Sequence, residues 1–363
     1  MKTPIEAIVK LVENISISAW IIDDEQNIVY MNDHMIDMFG DLSGKKTSVI
    51  YDYVSFEIAE GKENDSDGIT EVIIADVPFR RISATADLDE DGKYTLELFE
   101  DISEQKLNHM NMKRALTKIY NETKMAKTIQ NSILPVDDIY WDTIAFNSQY
   151  MPADDLGGDF YDLLKLSDDE FLIYIADVSG HGIQASLLTV FMRERVRTST
   201  EAALAGTGQL LSKLVHDFSS MGIDGMMYIT MALCKYTKSK RELSISNAGH
   251  NCFPLIIRNN GRTETIPIRG MPVCTLADGM DYDEEIVSMN PGDRLILYTD
   301  GIIEERDSAT GLSLGADGVR ELAEKHHEYS GSFLAKTVMD KAARFALISA
   351  KDDRAIVVAD ILS

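Results

Sequence analysis

The residues whose types and spacing could do chemistry are aspartates at the ends of apolar runs. In FLIYIADVSGHG (171–182) an apolar run that reads as a buried strand ends in Asp177, and a glycine-rich turn carrying Ser179 and His181 follows. Ile183, Leu187, Leu188, Val190 and Phe191 then recur at helical spacing, so this carboxylate stands where a strand hands over to a helix. Asp159 has a similar setting, after Gly157-Gly158 and ahead of the apolar segment 160–166. Asp300 ends the run 295–299, and Asp352 and Asp353 open the run 356–361.

Carboxylates gathered at one place repel one another, and burial raises their pKa. A divalent cation removes that conflict and prefers oxygen ligands. Two such ions about 3.5–4 Å apart can acidify a shared water and clamp a phosphoryl group. Taken singly, each aspartate is better read as a turn residue or a helix N-cap. Taken as a set with their glycines, they read as a metal site.

Five stretches then resemble, in family order, the SpoIIE/RsbU-like branch of the PPM metal-dependent protein phosphatases. They are MPADDLGGDFYD (151–162), ADVSGHGIQASLL (176–188), NAGHN (247–251), NPGDRLILYTDGIIEERD (290–307) and KDDRAIVV (351–358). The resemblance implies two ions, Mn2+ or Mg2+. It implies Asp177 as the ligand bridging both, the carbonyl of Val178 as a main-chain ligand, and Asp300 and Asp352 completing the second site. Asp159 would hold metal-bound water and, with Asp177, form the catalytic pair. Asp353 occupies the adjacent motif position, and the choice between Asp352 and Asp353 as ligand stays open. The implied reaction is direct attack of metal-activated water on a phosphoserine or phosphothreonine, without a phosphoenzyme.

Two departures from the family pattern bear on the site. Many relatives carry a phosphate-binding arginine before the first Asp motif, yet here no Lys or Arg lies between Lys127 and Lys165. The last motif usually has Thr where this chain has Ala355, so a hydrogen bond near Asp352 is expected to be lost. His181 and His250 could serve as general acids, but support of their turns by hydrogen bonding is the preferred reading. Ser179 lacks the spacing of a nucleophile elbow. The stretch 271–283 reads as a mobile flap over the site.

The elements that must position these residues occupy only part of a 363-residue chain, long enough for two or three domains. A net charge of −25, spread over both halves, argues against nucleic-acid and anionic-membrane partners. The one basic cluster, Lys235, Lys238, Lys240 and Arg241, reads as a solvated hairpin turn. No membrane span or signal peptide is visible. The three cysteines, Cys234, Cys252 and Cys274, lack metal spacing and suggest free thiols in a reducing cytoplasm.

Residues 1–102 read as a small mixed domain: a helix at 5–15, strands at 18–22 and 27–32, a short helix at 34–39, and strands at 69–75, 79–86 and 94–99. WIIDDEQNIVYMN and the later LELFEDISEQK resemble a PAS sensor domain and its exit into an output helix. That resemblance implies a ligand- or protein-binding sensor whose ligand is unknown. His34 reads as solvent-facing, and Trp20, Met31, Met35 and Met38 as core.

Residues 103–135 read as a helical linker ended by Pro135. Met112, Ile119, Ala126 and Ile133 recur every seven residues beside Leu116, Thr123 and Gln130, a partly polar heptad seam that favours a homodimeric coiled coil. A helix docked on its own phosphatase domain is the alternative. Residues 136–363 complete the phosphatase domain, an αββα sandwich in which helices flank two packed sheets. The fold class is therefore α+β. As an enzyme, the chain would dephosphorylate a phosphoprotein, in this branch usually an anti-sigma-factor antagonist of STAS fold. As a non-catalytic module, it would sequester a signalling partner.

Overall fold

The computed structural model describes residues 4–50, 56–58, 68–88, 92–180, 182–222, 227–304, 306, 311–345 and 352–363. The chain forms two compact units, Met1–Ile119 and Tyr120–Ser363.

The first unit is built on a sheet of order β2-β1-β6-β5-β4-β3. Its strands are β1 (Ser18–Asp23), β2 (Ile28–Met31), β3 (Phe56–Ile58), β4 (Ile69–Ile74), β5 (Val77–Asp87) and β6 (Lys93–Asp101). Alternation along β1 sends Trp20 and Ile22 into one core with Met31, Met35, Phe79 and Phe99, while Ala19 and Ile21 pack on the other face with Val12. Helix α1 (Pro4–Val12) supplies that second face, and α2 (Asp33–Phe39) the first. Asn32 is buried and caps α2: its side-chain oxygen accepts from the Met35 and Ala19 amides, both at 3.0 Å. His34 is exposed, as expected, but Met38 is exposed too, because it lies on the outer side of the short α2. Helix α3 spans Ser103–Ile133, and every side chain from 104 to 122 is exposed.

The second unit is an αββα sandwich. One sheet has the order β15-β12-β11-β10-β9 and the other β14-β13-β16-β17-β8-β7. Strands β9 (Asp159–Lys165), β10 (Glu170–Val178), β11 (Ile229–Thr237) and β12 (Glu242–Ala248) carry the first sheet, and β8 (Ile144–Met151), β16 (Arg294–Tyr298) and β17 (Arg354–Ile361) the second. Three apolar layers follow from strand alternation. Tyr161, Leu163, Ile173, Ile175, Leu295, Leu297, Ala355 and Val357 meet between the sheets. Phe160, Leu172 and Tyr174 face outward against helices α4 (Ile183–Thr198) and α6 (Thr207–Ser219). Ile296, Ile356 and Val358 face outward against α7 (Gly315–Lys325) and α8 (Gly331–Ala343). Strand β10 is apolar on both faces because it is covered on both.

Short elements escaped the sequence reading: α5 (Thr200–Ala205) and strands β7 (Asp138–Tyr140), β14 (Thr263–Thr265) and β15 (Glu285–Ser288), while β13 spans Leu255–Ile257. Two expectations are corrected. Stretch 271–283 is no loose flap, since Val273 exchanges backbone hydrogen bonds with Ile229 at 2.8 and 2.9 Å. Val273 and Ala277 are wholly buried in the helix-side core, so apolar contact holds the segment down. Lys235 does not belong to a solvated turn; it is buried within β11, where its Nζ donates to the Leu204 carbonyl at 3.0 Å and pairs with Glu170 at 3.2 Å. Among the described residues no helix is long and apolar enough to cross a membrane. The cysteines are free thiols, as expected.

A buried ion cluster fastens α4 to the sheet. Asp162 of β9 is fully buried and points to the helix side, where Arg197 binds both its oxygens at 2.7 and 3.0 Å and Arg193 approaches at 3.1 Å. Removing the charge leaves a desolvated arginine pair, so Asp162→Asn should cost on the order of 3 kcal/mol, tempered because Arg197 is partly exposed. Urea unfolding of the full chain measures that loss.

Candidate functional site

Strand parity assembles the site. Asp159 shares its face with Tyr161 and Leu163, Asp177 with Ile173 and Ile175, Thr299 with Leu295 and Leu297, and Asp353 with Ala355 and Val357. All four therefore project into the layer between the sheets, at the same end of it. Asp159 and Asp177 are direct register partners across β9 and β10. Asp300 follows β16 in a short 3-10 turn, Asp300–Ile302.

The glycines let the loops close on this edge. A Cβ on Gly157 would lie 2.0 Å from the Tyr150 hydroxyl and 2.7 Å from an Asp353 carboxylate oxygen, and one on Gly158 would lie 2.7 Å from the Val178 carbonyl oxygen. Asp353 clamps the same loop: its Oδ1 accepts from the Ala153 amide at 2.7 Å and its Oδ2 from the Gly158 amide. Both Asp353 oxygens are thus engaged with backbone, whereas Asp352 is exposed and accepts the Asp353 amide at 2.9 Å. Thr299 links the sheets by donating to Asp159 Oδ2 at 2.7 Å and accepting from the Ala355 amide at 2.9 Å.

The electrostatics are those of carboxylates gathered in a buried layer. Burial is the largest effect on Asp159, and the Asp177 charge adds to it, so its pKa stands well above the ordinary value despite the Thr299 hydrogen bond. Asp177 is pushed up to about 7 by burial first, then by Asp300, Asp352 and Asp353. Asp300 is raised by burial and by Glu304. The donor set is entirely oxygen, from carboxylates and the Val178 carbonyl, and suits a hard divalent cation. Among the described residues no three His, Cys, Asp or Glu side chains already form a metal cage.

Two neighbours qualify the expectations. His250 is buried, and its Nε2 meets the Tyr298 carbonyl at 2.9 Å and its Nδ1 the Thr230 hydroxyl at 3.0 Å. That pairing assigns Nε2 as the donor of a neutral ring. Asn247 closes the same turn, accepting the His250 amide at 2.7 Å and donating to its carbonyl at 2.8 Å. His250 is therefore a turn-supporting residue, whereas His181 lies outside the described residues. The residue missed as a site neighbour is Gln130, near the end of α3. Its buried amide donates to the Gly157 carbonyl at 2.7 Å and accepts from the Gly157 amide at 3.3 Å. The only sequence signal was a polar residue at a heptad position.

Burial pushes the His250 pKa down to about 4. The unfolded chain then binds the proton more readily, so this residue's contribution is present above about pH 6.5 and is lost as pH falls toward 4, by roughly 3 kcal/mol in full. Stability measured against pH should be flatter over that window in His250→Gln than in the parent chain. NMR should show His250 still neutral at pH 5.

Comparison with known proteins follows the same division. The model of the PAS domain matches residues 7–70, and that of Stage II sporulation protein E (SpoIIE) matches residues 167–362, more than half of the chain. Phosphoserine phosphatase RsbU of Bacillus subtilis is 23% identical over 250 residues, covering 69% of this chain and 73% of that protein. Phosphoserine phosphatase RsbP of the same organism is 23% identical over 185 residues, 50% of this chain and 45% of its own length. Among solved structures, the SiaA-PP2C domain of Pseudomonas aeruginosa shares the fold with a TM-score of 0.59 at 21% identity, covering 69% of this chain and 99% of that domain. With the fold, the aspartate-bearing strand ends and the matched segment in agreement, the chain belongs to the Stage II sporulation protein E (SpoIIE) family.

Proposed function

We propose that the chain is a divalent-metal-dependent serine/threonine protein phosphatase governed by an N-terminal PAS domain. The observation that carries this reading is the buried, oxygen-only carboxylate cluster at one edge of the sandwich, in which the charges weighing most on Asp159 and Asp177 are other carboxylates. The kinship with phosphoserine phosphatases RsbU and RsbP supports the reaction class. In functional terms the chain divides into a sensor (1–102), a helical linker (103–135) and a phosphatase domain (136–363).

Asp177, the Val178 carbonyl, Asp300 and Asp352 would hold two ions, Mn2+ or Mg2+. Bound there, the ions would supply positive charge to the phosphoryl oxygens and acidify water. Asp159, fixed by Thr299 and directly opposite Asp177 in the β9–β10 register, would orient that water. Asp353 serves the site by holding the Gly157-Gly158 loop, which makes Asp352 the better ligand of the two. With no Lys or Arg between Lys127 and Lys165, binding of the phosphoprotein would depend on protein docking more than on the phosphate. The substrate class is a phosphorylated anti-sigma-factor antagonist, and the setting cytoplasmic. Gln130 ties the end of the linker helix to the Gly157 peptide, a direct route by which the helix could bias the Asp159 loop.

Hydrolysis of p-nitrophenyl phosphate and of a phosphoserine protein by the full chain should require Mn2+ or Mg2+, stop with EDTA, and fall on the order of 10²–10³-fold in Asp177→Asn. Turnover indifferent to metal and to Asp177 contradicts the reading, and binding of a partner without turnover under any condition favours the sequestering module. The exposed α3 residues Met112, Leu116 and Ile119 are assigned to a homodimeric seam. Sedimentation should show a dimer that Leu116→Glu with Ile119→Glu converts to monomer.

A further inference from the structure

Tyr150 lies near the end of β8, opposite Ala355 in the β8–β17 register. Its ring packs in the layer between the sheets, edge-on to Tyr161 with centroids 6.5 Å apart. The hydroxyl stands at the carboxylate edge. A Cβ on Gly157 would lie 2.0 Å from Tyr150 Oη and 2.7 Å from Asp353 Oδ2, so these two oxygens flank the spot that glycine leaves open. Tyr150 Oη is nevertheless buried without a hydrogen-bond partner among the described residues. Burial first, then the charges of Asp353 and Asp159, raises its pKa, so the phenol is a protonated donor beside carboxylates. The fold uses the ring and leaves the hydroxyl idle. A buried O–H without an acceptor costs stability, and phenylalanine would keep the ring without that cost. Such a departure from what the fold needs is characteristic of working sites. The surroundings agree: Gln130 holds both backbone polar groups of Gly157, Asp353 holds the Gly158 amide, and Asp159 comes next in the chain.

We infer that Tyr150 is a positioning residue of the divalent-cation site, its hydroxyl donating to Asp353 Oδ2 when the cation is bound. The inference rests on the cation reading of the carboxylate edge. Asp353 is the better acceptor of the two carboxylates. Its Oδ2 accepts the Gly158 amide and keeps a second lone pair, and no side chain at position 157 stands between it and Tyr150 Oη. Asp159 weighs less on the hydroxyl, and its Oδ2 already accepts from Thr299. A second donor on Asp353 holds that carboxylate in one orientation, and with it the preceding Asp352 and the Gly157-Gly158 loop that leads to Asp159. Outer-shell donors of this kind act on an ion through its ligands, without touching it.

Mn2+ binding to the full chain is measured by calorimetry for the parent and for Tyr150→Phe, and the melting of the second unit is followed for both in EDTA. Loss of the hydroxyl should weaken Mn2+ binding about tenfold, the scale set by outer-shell partners of metal ligands. In EDTA the variant should melt no lower than the parent, because it removes only an unpartnered buried group. A merely structural role gives the opposite pair, a lower melting temperature with unchanged affinity. In the parent, Mg2+ should also move the Tyr150 hydroxyl proton resonance downfield, as for a donor to a carboxylate, and this decides the question should the variant fail to fold. Parent-like Mn2+ affinity in Tyr150→Phe, affinity and melting temperature falling together, or a hydroxyl resonance that Mg2+ leaves in place overturns this inference alone. Absence of Mn2+ binding by the parent overturns the cation reading and this inference with it.

Discussion

Carboxylates placed at the edge of a low-dielectric layer are the constraint on which the second unit turns. Asp159 and Asp177 face each other across adjacent strands, half a sandwich of apolar side chains lies beneath them, and the charges that bear on them most are of the same sign. Such an arrangement is unfavourable as it stands. It persists because strands that must bury their middles between two sheets necessarily end together. The conflict is confined to that end, where a proton or a cation can relieve it.

The rest of the unit keeps that edge in place. Gly157 and Gly158 allow the loop before Asp159 to run against Tyr150, Asp353 and Val178, contacts that any side chain would prevent. Asp353 fastens the loop from the opposite sheet, and Thr299 joins Asp159 to the backbone of β17. The Thr299 hydroxyl and Ala355 amide supply a cross-strand bond at the position where the family's threonine is replaced. On the outer face, Asp162 locks α4 by two arginines, so the helix that begins just after the Asp177 turn is anchored to the strand carrying Asp159. Gln130 reaches the same loop from α3.

Much of this was legible in the chain. The run 171–176 is apolar on both faces and long enough to be a central strand, and its acidic terminus marked the site. The four-layer order was what the family resemblance implied. Features that depend on contacts between distant residues were not legible. Asp162 and its arginines lie 31 and 35 positions apart and carry no local signature. Lys235 looked like a turn residue because its neighbours are, yet its stem packs within β11 while the ammonium reaches a carbonyl and Glu170. The three-residue strands β7 and β14 are too short to show a period, and 271–283 looked loose because its anchors, Val273 and Ala277 among them, meet residues distant in the chain.

The central claim is that the carboxylate edge is a cation site. It is tested most directly by counting Mn2+ bound to the full chain, by electron paramagnetic resonance and calorimetry, in the parent and in Asp177→Asn. The account predicts saturable binding of two ions per chain at neutral pH, with proton release from carboxyls whose pKa burial has raised, and loss of at least one ion in the variant. Failure to bind, or binding unchanged by Asp177→Asn, would contradict it.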